Sequence, residues 1–201
     1  MDDRAGAARR AAIHERAAAD ARRVAPHLRP GRAVLITGPS GSGKSLLLHE
    51  LARVLPSVIA TAIRRSERRA PVEMIRQPVP RAIALLARLG LADAQRLITP
   101  AGRLSVGEQA RLSVAIAFDA AARSGRPLIV ADEFASTLDD AAADSLAAAA
   151  RRAVPPTAAL LAATARDAIA ERLRPDTLVY IPLEAPAEIH TEPAACGPPT
   201  T

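Results

Sequence analysis

The chain holds 27 basic side chains in 201 residues, and a single one of them is lysine, Lys44. An ammonium is a compact point charge and a guanidinium a planar fork. A chain that writes arginine everywhere else and lysine here therefore points to a site that needs the point charge. Lys44 lies in Gly38-Pro39-Ser40-Gly41-Ser42-Gly43-Lys44-Ser45, followed by Leu46, and this run fits G-x-x-x-x-G-K-[ST]. In that pattern backbone N–H groups cradle phosphates while the lysine reaches the terminal ones. The implied ligand is a nucleoside triphosphate.

A second group of residues supplies the acids. Leu128-Ile129-Val130-Ala131 is an apolar run that ends on Asp132-Glu133. A buried strand would deliver Asp132 to its C-terminal end, where open α/β sheets bind ligands. There its carboxylate and the Ser45 hydroxyl can hold Mg2+ that arrives with ATP. Glu133, one residue on, is turned away from Asp132 and suits polarising an attacking water in phosphoryl transfer. A third group, Leu104-Ser105-Val106-Gly107-Glu108-Gln109-Ala110-Arg111, lies 28 positions before Asp132 and opens a long helix. Ser105 with Glu108 three residues later also forms a capping box.

The elements that must carry these groups alternate. Ala33 to Thr37 reads as a buried strand and Leu46 to Arg53 as a helix, so the glycine-rich run sits where a strand hands over to a helix N-terminus. Further strands are expected at 57–63, 128–131, 158–163 and 177–181, with helices at 81–90, 92–98, 106–123, 140–152 and 167–173. Alternation of this kind argues for a mainly parallel sheet covered on both faces, a three-layer α/β fold. Residues 1–30 read as a helical extension ended near Pro26 and Pro30-Gly31, and residues 31–184 as the globular domain. Residues 185–201, rich in proline, read as a disordered tail.

Composition narrows the class. The formal charge is +6, which can attract a polyanion. The arginines are scattered in pairs, densest between Arg64 and Arg76, and no aromatic residue interleaves with them to stack on bases. Phe118, Phe134 and Tyr180 are the whole aromatic complement, so the core is aliphatic and alanine-rich. The lone cysteine, Cys196, excludes an internal disulfide and fits a reducing, cytoplasmic setting. No apolar run approaches a membrane span, and the charged N-terminus has no secretory h-region.

The order of these motifs resembles that of ATP-binding-cassette (ABC) ATPases, members of the P-loop NTPase superfamily. Leu104 to Arg111 is similar to their signature loop, with Val106 in place of a glycine and Glu108 in place of a glutamine. Gln77 sits where the family places its Q-loop glutamine, Ser136-Thr137-Leu138-Asp139 resembles the D-loop, and Ala163-Thr164-Ala165-Arg166-Asp167 the switch segment, with Arg166 for the usual histidine. The resemblance spans 31–181 and implies a short helical subdomain at about 77–106. It implies a head-to-tail homodimer with ATP at the interface, in which Ser105, Gly107, Glu108 and Asp139 serve the partner. Gln77 would join Ser45 and Asp132 around Mg2+, and Arg166 would join Lys44 and Glu133 at the γ-phosphate.

Two departures bear on function. No aromatic precedes the phosphate loop to stack on adenine, and the segment from Gln77 to Leu104 is shorter than the family's usual helical subdomain. The expected function is a soluble ATP-binding and ATP-hydrolysing switch, slow in turnover, that acts on a protein or DNA partner and inserts no segment of its own into a membrane. A transporter's nucleotide-binding subunit, a DNA-associated ATPase and a phosphate-loop kinase for a small molecule are the alternatives.

Overall fold

Ala33-Val34-Leu35-Ile36-Thr37 is buried along its whole length, and its side chains alternate between two separate apolar clusters. Leu35 faces Ile129, Leu160 and Ala162, whereas Val34 and Ile36 face Leu47, Leu48 and Leu51. A strand buried on both faces belongs in the middle of a sheet covered on both sides. The computed structural model describes residues 3–191, with side chains from residue 11 onward.

It places this strand, β1 (Ala33–Thr37), beside β2 (Ser57–Ile59), β3 (Leu128–Ala131), β4 (Ala159–Ala163), β5 (Thr177–Tyr180) and β6 (Glu188–Thr191) in the order β2-β3-β4-β1-β5-β6. Neighbours from β2 through β5 run parallel, and β6 closes one edge antiparallel to β5. The mainly parallel α/β architecture is as expected.

Helices α1 (Asp3–Val24) and α2 (Lys44–Val54) contribute to the cluster on one face. On the other lie α3 (Pro71–Met74), α4 (Val79–Arg88), α5 (Ala94–Ile98), α6 (Val106–Ser124), α7 (Asp140–Ala153) and α8 (Ile169–Leu173). Side chains start the helices that border the site. Ser105 and Glu108 form the reciprocal capping box on α6, and Asp139 caps α7 by accepting from Ala142 N–H at 2.8 Å. Each such cap stabilises its helix by about 1 kcal/mol.

Three expectations are corrected. The second strand ends at Ile59 and not Ile63. Ala60 N–H still donates to Val130 O at 2.8 Å, but Ser113 Oγ then takes the Thr61 carbonyl and the chain leaves the sheet. The helical segment begins at Pro71, ahead of Gln77.

The third correction concerns the chain ends. Residues 188–191 of the expected disordered tail form β6, and α1 is built into the core through Ala21 and Val24. Asp20, buried on α1, accepts from Ala187 N–H at 3.2 Å, and Arg23 donates to Ala187 O at 2.8 Å. Those bonds settle the backbone of the turn into β6, which a tail would have left to water. The remainder of the expected tail, 192–201 with Cys196, lies outside the described residues.

Candidate functional site

Strand β1 ends at Thr37 and α2 starts at Lys44, so Gly38 to Gly43 must turn the chain within six residues. Gly38 (φ 140°), Gly41 (φ 80°) and Gly43 (φ 104°) take backbone conformations that side chains resist. At Gly38 the space is closed as well, since a Cβ there would come 2.3 Å from Ile181 O. The loop curls in front of the first turn of α2, whose N–H groups have no intrahelical acceptor. Lys44 Nζ arches back and donates to Gly38 O and Pro39 O, each at 2.8 Å. Beneath the loop, the Ser42 hydroxyl is buried without a hydrogen-bond partner.

This loop forms one wall of a cavity of about 380 Å3. Strand order explains the other walls: β4 lies between β1 and β3, so the C-terminal ends of all three meet at one side of the sheet. Lys44 and Ser45 come from the loop side, Thr164 and Ala165 from the end of β4, and Asp132 and Glu133 from the end of β3. Sites in open α/β sheets form at such carboxyl ends.

The Asp132 carboxylate accepts from Glu133 N–H at 2.9 Å through Oδ1, which leaves Oδ2 for another partner. A hydroxyl and a carboxylate oxygen sharing one cavity with an ammonium make a donor set that suits a hard cation bound to phosphate. Glu133 itself is held at φ 49°, in the left-handed region, by Ser136 N–H donating to its carbonyl at 3.0 Å. Ala135 is left-handed too, at φ 58°. Phe134 N–H donates to Ala163 O at 2.7 Å and fixes the turn against β4. Non-glycine residues hold such angles only where surrounding contacts impose them, and here the contacts turn Glu133 out to solvent beside the cavity.

Two expected members of the site are elsewhere. Gln77 does not line the cavity; its Nε2 donates at 2.8 Å to Asp119, a carboxylate on α6 that is 1% exposed. Asp119 also accepts from Arg76 N–H at 3.1 Å and Arg123 Nε at 3.0 Å, so three donors offset its burial. Gln77 thus ties the helical segment to α6. The chain that leaves β2 beside Asp132 is Ala60-Thr61-Ala62-Ile63, which holds no glutamine, and Ala60, Ala62 and Ile63 line a second, apolar groove shared with Asp132 and Glu133.

Arg166 is the other displaced residue. Its guanidinium donates to Ala135 O at 3.1 Å, to Leu138 O at 2.5 Å and to the Asp140 carboxylate. It braces the loop after Glu133, and the residues of its segment that face the phosphate-loop cavity are Thr164 and Ala165.

The other expected residues make contacts of their own. Ser105 and Glu108 are occupied with each other, Ser105 N–H to Glu108 Oε2 at 2.9 Å and Glu108 N–H to Ser105 Oγ at 3.2 Å, while Arg96 pairs with Oε1 at 3.1 Å. The carboxylate that replaces a glutamine is thereby neutralised. Gly107 packs toward Ala142 with room for a Cβ at 3.9 Å. Arg111 donates to Leu89 O at 2.9 Å and closes the end of α4.

One contributor had no sequence signal. Arg16 of α1 donates to Ser42 O at 3.4 Å and Leu183 O at 3.1 Å, tethering the phosphate loop from outside. It is one arginine among many on a helix whose register the sequence leaves open.

A phosphate loop at the end of a central strand, with an acid pair two strands away across β4, defines a P-loop NTPase. The family model described as ABC transporter matches residues 21–136, more than half of the chain, and the protein belongs to that family as an ATP-binding ABC ATPase. Among solved structures, an ATP-binding cassette of an ABC transporter in its ADP conformation is 18% identical with a TM-score of 0.60, covering 76% of this chain and 77% of that one. A dimeric cassette in a post-hydrolysis state bound to ADP and Pi is 18% identical with a TM-score of 0.55, covering 82% and 87%. A dimeric bacterial ABC transporter cassette is 19% identical with a TM-score of 0.56 and the same coverage. A search of curated proteins returns no match. Among the described residues no helix is long and apolar enough to cross a membrane.

Proposed function

We propose that the chain binds ATP with Mg2+ and hydrolyses it slowly as a head-to-tail homodimer, using ATP-driven association as a switch on a partner. The observation that carries this reading is the single cavity shared by Lys44, Ser45, Asp132, Glu133 and Thr164. Lys44 and the loop amides would hold the phosphate chain, and Ser45 with Asp132 would hold Mg2+, which supplies charge neutralisation at the β- and γ-phosphates. Glu133 would orient the attacking water. Slow turnover follows from two diversions, Gln77 to Asp119 and Arg166 to the loop at Ala135 to Asp140. With neither at the γ-phosphate, kcat should lie well under the ~10 s−1 typical of enzymes.

Dimerisation is supported by the exposure of Ser105, Val106, Ser136, Thr137 and Asp139, of which Val106, Ser136 and Thr137 line the groove shared with the acid pair. Fold neighbours include dimeric cassettes. Glu133→Gln keeps the size of the side chain and removes the base. It should retain ATP binding, lose hydrolysis by at least about 100-fold, and elute as a dimer with ATP in size-exclusion chromatography. Hydrolysis at the wild-type rate would end the assignment of Glu133.

A second reading, the nucleotide-binding subunit of a transporter, rests on α4. Val79 and Ile83, one helical turn apart, are exposed there, and such a stripe suits an apolar partner segment. Recovery of a polytopic membrane protein with the tagged chain from detergent extract favours this reading, and its loss in Val79→Glu/Ile83→Glu places the contact on α4.

A further inference from the structure

Apart from the nucleotide cavity, a groove of about 520 Å3 opens between the loop after β2 and the turn before α6, lined by Arg65, Ser66, Glu67, Arg68, Pro100 and Arg103. Its two sides are locked together by backbone. Ala101 N–H donates to Arg69 O at 2.9 Å, and Gly102 N–H donates to Glu67 O at 3.0 Å. A Cβ on Gly102 would fall 2.3 Å from Arg65 O, so only glycine admits this approach. The arginines on either side therefore share one rigid frame.

Charge in the groove is uncompensated. Glu67 is the one acid in its lining, and Arg69, outside the lining, takes it with Nε and Nη2 at 3.0 and 2.8 Å. Those side-chain bonds hold the Glu67 carboxyl down to about 2, ionised and already paired. Among the described residues Arg65, Arg68 and Arg103 make no ion pair, and all three are exposed. Three arginines lining one groove whose single acid is already paired with Arg69 form a positive field that draws an anion.

We propose that this groove binds the phosphodiester backbone of a nucleic-acid duplex. Guanidinium forks match phosphate oxygens in pairs. The lining has no aromatic side chain on which an unpaired base could stack, and apart from Pro100 no apolar one to seat a protein anchor. A duplex needs neither, because its affinity comes from regularly spaced backbone charge. The turn Ala101–Arg103 runs straight into Leu104-Ser105, so a bound backbone would pull on the loop proposed to meet ATP in the partner. That coupling rests on the dimer reading, whereas duplex binding itself does not.

Fluorescence anisotropy without nucleotide separates the two. A labelled DNA duplex and an RNA duplex of the same sequence are titrated at several salt concentrations. Arg65→Ala/Arg68→Ala/Arg103→Ala should weaken duplex binding at least about 10-fold and flatten the log K against log salt slope by about 2 to 3, near 0.9 per lost phosphate contact. The Arg→Lys triple variant keeps the charge and should stay within about 5-fold of wild type. Gly102→Ala leaves the charge intact and should still weaken binding by splitting the frame. Arg22→Ala/Arg29→Ala/Arg53→Ala, which removes the same three charges outside the groove, should bind the duplex far more tightly than the groove variant, and an equal loss in both would overturn the proposal. Melting curves and ATP binding serve as folding controls. Wild-type affinity and slope in the triple alanine variant, absence of duplex binding in the wild type, or displacement of the duplex by polyglutamate at equal charge would each overturn the proposal; preference between the DNA and RNA arms names the source.

Discussion

Arg166 donates to the carbonyl oxygen of Leu138 at 2.5 Å, across 28 positions of sequence. The bond joins the segment after β4 to the loop that follows the acid pair. Together with its bonds to Ala135 O and Asp140 it ties Arg166 to the loop that follows Glu133. Arg166→Ala should keep ATP affinity within about 2-fold, lower the hydrolysis rate about 10-fold, and cost about 1 to 3 kcal/mol of stability as buried carbonyls lose their donor. Asp140→Ala should act in the same direction and add little on top of Arg166→Ala. A large loss of ATP affinity with ADP affinity spared would mean that the guanidinium reaches the γ-phosphate instead.

Gln77 and Asp119 make opposite forecasts for neighbouring residues. Gln77→Ala should leave the Mg2+ dependence of hydrolysis unchanged, because the amide faces α6 and not the cavity. Asp119→Ala leaves Gln77 and Arg123 without their acceptor, and should lower stability by about 3 kcal/mol, read as a shift of the urea midpoint. A raised Mg2+ requirement in Gln77→Ala would restore the Q-loop assignment.

The Ser42 hydroxyl, 1% exposed at the residue level and unpartnered, is a cost to the nucleotide-free protein. Removing a buried unsatisfied group returns about 1 kcal/mol, and Ser42→Ala should raise the nucleotide-free Tm by about 2 to 4 °C. A fall in Tm would show that the hydroxyl has a partner.

Asp176 supplies the acid limb of stability. Burial pushes its carboxyl up, but Ala33 N–H, the Arg32 side chain and the charges of Arg151 and Arg32 together bring it below its ordinary 3.8. A depressed native pKa contributes stability that is whole above the unfolded value and is lost as pH falls toward the native one. The wild-type Tm should therefore drop on acidification through 3.8, and Asp176→Asn should show a lower Tm at neutral pH with a shallower acid slope. Equal slopes in the two proteins would dismiss Asp176 as a contributor.

Local chemistry made the candidate site legible. The glycines, Lys44, Ser45 and the acids after an apolar run are confined by neighbours in sequence, and Gly41, Gly43, Lys44, Ser45, Asp132 and Glu133 line one cavity. Gln77 and Arg166 failed for a different reason. Their side chains are long, and where such a chain points depends on partners far away in sequence: Asp119 for Gln77, and the carbonyls of Ala135 and Leu138 for Arg166. Strand β6 was hidden because Glu188-Ile189-His190-Thr191 has little apolar pattern. It pairs at an edge with one partner, and the buried Asp20 and the Arg23 of α1 fix the turn that leads into it.

The strand order has a consequence in time. Strand β1 is made before its sheet neighbours β4 and β5, which appear only after residue 158, and the second acceptor of Arg16, Leu183 O, comes later still. At about 5 to 20 residues per second of synthesis, the loop waits many seconds on the ribosome with an apolar strand exposed before it can hold phosphate. Competence to bind nucleotide is thus a late event in the life of the nascent chain, and the apolar middle of the sheet is the part that chaperones would have to shield until then.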